Sequence, residues 1–112
     1  MENTIFIAHP VEFFSKSLKS FGLSEGLDVY ILDVYDDFEY LVKDLNPKYM
    51  LFHEDIYQEY KEYIDKIEKE NDVILAIIGL ESKEEKNYFV SPLDPLTLVR
   101  DLNKLIKKEL DG

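Results

Sequence analysis

Apolar residues along this chain come in short blocks whose period changes. Ile5 to Ala8 is a continuous apolar run, the pattern of a strand covered on both faces. Val11, Phe14, Leu18 and Phe21 then repeat at helical spacing and predict a first helix, punctuated by Gly22 and Gly26. Val29 to Leu32 predicts a second strand. Asp36 or Asp37 is placed to cap a second helix with the apolar face Phe38, Leu41, Val42 and Leu45. Asn46-Pro47 ends it, because the residue before proline avoids helical geometry. Tyr49 to Phe52 predicts a third strand; Tyr60, Tyr63, Ile64 and Ile67 predict a third helix with Lys and Glu on its wet face. Val73 to Ile78 is apolar throughout, as a central strand is, and Tyr88 to Val90 predicts a fifth. Asp94 as cap and Pro95 at the first helical position open a last helix, whose buried face is Val99, Leu102, Leu105 and Ile106.

Strands alternating with helices imply a parallel sheet with right-handed crossovers. Five short strands in 112 residues predict a single α/β domain over 1–112, doubly wound in the flavodoxin-like order 2-1-3-4-5. In that winding the C-terminal ends of the first and third strands flank the crevice where chemistry is usually placed. The only two histidines, His9 and His53, fall at those two ends.

Composition narrows the function. Without cysteine there is no disulfide, thiol nucleophile or thiolate metal site, which fits a cytoplasmic protein. No apolar run approaches the ~20 residues that span a bilayer, and the N-terminus does not have the pattern of a signal peptide. A net charge of -11 repels phosphate backbones and anionic membranes, so neither nucleic acid nor membrane is an expected partner. Lys104, Lys107 and Lys108 sit where they favour the dipole of the last helix.

Two segments carry a family likeness. YFVSPLDPLTLVRDL (88–102) and NPKYMLFHE (46–54) resemble the matching segments of bacterial response-regulator receiver domains, the CheY-like fold, and the likeness extends over nearly the whole chain. Receivers hold Mg²⁺ on an acidic pair after strand one and phosphorylate an aspartate at the end of strand three. A Thr or Ser ends strand four, and a Lys-Pro follows strand five. Carried over by position, the acidic pair falls on His9 and Pro10, the phospho-acceptor on His53 with Glu54 behind it, the hydroxyl residue on Ile77 and the lysine on Ser91; Pro92 alone keeps its identity. The resemblance therefore implies a degenerate receiver. Proline offers no ligand, imidazole suits Mg²⁺ poorly, isoleucine cannot hydrogen-bond a phosphoryl group and serine brings no positive charge.

The likeness also implies a full fourth helix between strands four and five. Residues 79–87 leave room for one turn, against about three in an ordinary helix, so that helix is expected to be shortened or absent. Its loss would uncover apolar side chains and an edge strand. Leu80, Tyr88, Phe89, Val90 and Leu98 are the expected interface, for a protein partner or a homodimer. No enzymatic activity or cofactor is expected. The alternative from another class is a metal or small-molecule site, or a phosphohistidine, on His9, His53 and Glu54. The mannose-type phosphotransferase IIA domains resemble the chain only over FIAH. Ordinary strand-end histidines bonding loop backbone are the simpler reading. Tyr60 and Tyr63 are expected to pack on the sheet, with Tyr57 partly exposed.

Overall fold

The computed structural model describes residues 3–79, 87–90 and 95–111; for 87–90, 105 and 107–111 it describes the backbone alone. β1 (Thr4–Ala8), β2 (Asp28–Ile31), β3 (Tyr49–His53) and β4 (Ile74–Gly79) form a parallel sheet in the order β2-β1-β3-β4. The backbone of β5 (Asn87–Val90) continues it beyond β4, also parallel. The helices are α1 (Glu12–Ser24), α2 (Glu39–Leu45), α3 (Glu54–Glu59), α4 (Lys61–Glu70) and α5 (Pro95–Asp111). The alternating pattern therefore yields the doubly wound parallel α/β architecture that it predicts.

Alternation along each strand builds two cores. Phe6, Ala8, Met50, Phe52, Leu75 and Ile77 point to one face and pack against Phe38, Val42, Ile56, Tyr57, Ile64 and Ile67 of the α2, α3 and α4 side. Ile5, Ile7, Tyr49, Leu51, Ala76 and Ile78 point to the other and pack against Leu18 of α1 and Leu98, Val99, Leu102 and Ile106 of α5. Each such aliphatic or aromatic side chain contributes about 1.5–3 kcal/mol when fully buried. Leu98, expected at an interface, is instead fully buried in this second core. It lies next to Val99 and one turn before Leu102, so it shares the face that α5 turns to the sheet.

α1 is rotated relative to its apolar spacing. Its buried residues are Ser15, Leu18 and Gly22, while Val11 and Phe21 are exposed. The small residues explain the rotation: a Cβ at Gly22 would lie 2.7 Å from Val29 Cγ2, so glycine lets α1 sit close on β2. At the other end of β2, α2 starts from Phe38 rather than from an Asp cap. The Tyr63 hydroxyl of α4 accepts the Phe38 and Glu39 N–H groups at 3.0 and 3.2 Å, a cap supplied from a distant helix. Asn46 ends α2 in the left-handed conformation, φ 49°.

The stretch between β3 and β4 forms two helices where one was expected. α3 begins directly on β3 with His53 as its N-cap, and Tyr60 leaves helical geometry between α3 and α4. Tyr57 is buried, not exposed, and donates its hydroxyl to Asp65 Oδ1 at 2.8 Å, tying the two helices. Pro95 opens α5 as expected. Asp94, Leu80, the 80–86 connection and with it the shortened fourth helix, Ser91 and Pro92 lie outside the described residues.

Two substitutions test this packing. Gly22→Ala gains helix propensity worth about 1 kcal/mol but drives a methyl into a stiff, buried β-branched neighbour, at about 1–3 kcal/mol. The expected net result is a lower Tm in thermal denaturation. Tyr63→Phe keeps the ring, which stacks edge-on against Phe38, and removes only the cap. It should cost about 1 kcal/mol and a few degrees of Tm; an unchanged Tm would mean that the hydroxyl does not hold α2.

Candidate functional site

β1 and β3 are neighbours in register, with Ala8 beside Phe52, and both end at the crevice. This brings His9 and His53 together: their ring centroids lie 4.9 Å apart, the planes near perpendicular at 77°. His9 also stacks on Phe14 of α1 at 4.3 Å and 21°. By strand alternation both histidines belong to the face of Ile5, Ile7 and Leu51, the α1 and α5 side.

Each ring is committed to the backbone in the same way. His9 Nδ1 accepts the Val11 N–H at 3.0 Å, two residues on. His53 Nδ1 accepts the Asp55 N–H at 3.2 Å, also two residues on, and so caps α3. Pro10 sits at the centre of the first turn, where its fixed φ suits the reversal and its missing N–H costs nothing. Val11 then acts as the N-cap of α1, its carbonyl accepting the Phe14 and Ser15 N–H groups. A ring whose Nδ1 accepts a hydrogen bond carries its own proton, when neutral, on Nε2.

Charge around the pair is lopsided. Asp55 Oδ2 lies 3.8 Å from His53 Nδ1. Burial first, and the nearby His53 second, lower the His9 pKa from 6.5 to about 4. Glu54 follows His53 as the first residue of α3. Among the described residues no group of three or more His, Cys, Asp or Glu side chains is placed to hold a metal ion.

The position expected for the hydroxyl residue needs correction. Ile77 belongs to the α2, α3 and α4 face, packed with Phe6 and Phe52, and does not share the histidines' side of the sheet. The residue in register with His53 is Ile78, followed by Gly79 at the end of β4. The slip of one residue flips the side chain but not the chemistry, since neither Ile78 nor Gly79 has a hydroxyl. Ser91 and Pro92 are outside the described residues, as are the side chains of Tyr88, Phe89 and Val90. What the sequence alone did not reveal is the Phe14 stack and the Tyr63 cap; the i,i+2 spacing of histidine and backbone N–H across His9-Pro10-Val11 was the one available signal for the turn.

No protein-family model matches the sequence, and no curated protein matches it either. Solved structures do. A response regulator from Thermotoga maritima superposes with a TM-score of 0.77 at 13% identity, covering 96% of this chain and 99% of that one. HP1043, an orphan response regulator of H. pylori, gives 0.73 at 12% identity over 92% of this chain and 95% of that one. A protein described as an atypical orphan response regulator with a phosphorylation-independent regulatory mechanism gives 0.69 at 10% identity over 93% and 95%. The chain thus has the fold of response-regulator receiver domains, CheY-like, over nearly its whole length.

Proposed function

We propose that this chain is a receiver-like signalling module that works without aspartyl phosphorylation, through contact with a protein partner or a second copy of itself. The observation that carries the reading is the state of the two strand ends. Where a receiver needs hard oxygen ligands and an acceptor carboxylate, His9 and His53 each have Nδ1 bound to a backbone N–H. Pro10 supplies a turn instead of a ligand. A transferred phosphoryl group at this crevice would find no cation to neutralise it and no hydroxyl beside it on β4. The module carries no catalytic residues in this reading and acts in the cytoplasm; no helix among the described residues is long and apolar enough to cross a membrane. The likeness to a regulator described as phosphorylation-independent supports it.

The docking surface belongs to the end of the sheet at β5. β5 is the last strand of the sheet, so one of its edges has no partner strand among the described residues. Residues 80–86 are too few for an ordinary covering helix of about three turns. Leu80, Tyr88, Phe89 and Val90 are the candidate contacts; Leu98, buried on the face that α5 turns to the sheet, is not one of them.

The same geometry argues against a zinc or phosphohistidine site on His9, His53 and Glu54. Coordination or phosphorylation at Nε2 needs that nitrogen's lone pair, which moves the ring proton to Nδ1, against the Val11 or Asp55 N–H.

Treatment with acetyl phosphate, or with beryllofluoride, in the presence of Mg²⁺ tests the reading. Intact mass and backbone amide spectra should stay unchanged. A stable phosphoryl adduct, or saturable shifts around residue 53, would overturn it.

A further inference from the structure

The two imidazoles meet where α1 and α3 begin: His53 holds the first turn of α3 by accepting the Asp55 N–H, and His9 accepts the N–H of Val11, the N-cap residue of α1, closing the His9-Pro10-Val11 turn that leads into that helix. A proton on Nδ1 turns that acceptor into a second donor facing the same N–H, so the bond becomes a repulsion. The two rings differ in what such a proton would meet. At His53 it meets the Asp55 carboxylate, 3.8 Å away, which can take over the contact. At His9 the surroundings offer the Phe14 face and the His53 ring.

We propose that His9 is an acid-released latch on the turn that leads into α1: while neutral, its Nδ1 holds the Val11 N–H and its ring lies on Phe14, and protonation opens that turn at the mouth of the β1–β3 crevice. The proposal stands apart from the docking reading, since it concerns the opposite end of the fold's logic, the helix starts and not the sheet edge. Among the described residues, the charged groups on the packed elements give His9 no carboxylate partner. On α1, Glu12 is engaged by Lys16 at 2.8 Å. Arg100 of α5 faces Glu25, at the far end of α1. On α3, Asp55 faces His53 and Glu54 precedes it. From β4 the neighbours in that layer are Ile78 and Gly79. Beyond β2, Asp33 acts on Tyr35, whose phenol burial and that carboxylate push up. Segment 91–94 is outside the described residues.

The sign of the pH dependence follows. Between 6.5 and about 4 the unfolded chain binds the His9 proton and the folded chain does not, so the unfolded state holds more protons in that window. The stability tied to His9 is complete above about 6.5 and is lost as pH falls to about 4. His9→Asn is the informative variant, because its side-chain oxygen can still accept the Val11 N–H but takes no proton.

The experiment is a pH titration by NMR of the wild type and His9→Asn, following imidazole nitrogen tautomers and the exchange protection of the Val11 amide, corrected for intrinsic exchange. At neutral pH both wild-type rings should show the Nε2–H tautomer. Below about pH 4, wild-type Val11 protection should fall by about tenfold or more, while His9→Asn keeps its protection. A Nδ1–H tautomer for His9 at neutral pH would overturn the proposal. So would Val11 protection that survives acid in the wild type, or that falls equally in His9→Asn, since acid would then open the turn without the latch.

Discussion

With β1, β3 and β4 covered on both faces, a polar side chain on these strands has a place only where the strand ends. Thr4 to Ala8 is buried throughout, as are Tyr49 to Phe52 and Leu75 to Gly79. The parallel winding then decides which ends meet. It sets β1 beside β3 with Ala8 opposite Phe52, so the next residue of each strand, His9 and His53, must share one crevice. Everything distinctive about the site follows from that register and from what the two rings do once they are there.

What they do is local. Both imidazoles accept a backbone N–H two residues ahead; His53 thereby caps α3, and His9 closes the turn that leads into α1. His53 is occupied in capping α3, and His9 and Pro10 in the turn before α1. The fold, shared with response-regulator receivers at 10–16% identity, is compatible with either use, because it is held by the two cores and not by the crevice.

Much of the architecture was legible in the sequence because strand and helix periods are sharply distinct. Ile5–Ala8 and Val73–Ile78 read as buried strands, and the Pro95 start of α5 was plain. The failures have physical causes. Phe21 and Val11 fit a helical stripe, yet Gly22 and Ser15 let α1 roll its smaller side onto β2 and α5, which no apolar count detects. Ile56, Tyr60, Ile64 and Ile67 keep one continuous stripe through the break at Tyr60, so the pattern gave no sign of two helices. The cap of α2 comes from Tyr63, about 25 residues along the chain, and local signals such as Asp36 and Asp37 pointed elsewhere. At the site, the meeting of His9 and His53 was predictable from topology, whereas the face of Ile77 turned on a single residue of register.

The account depends on a crevice unable to seat a divalent cation. Backbone amide shifts followed during a Mg²⁺ titration measure this directly. Only weak, unsaturating changes spread over the acidic surface are predicted. Saturable shifts confined to the ends of β1, β3 and β4, around residues 9, 10, 53 to 55 and 79, would contradict it.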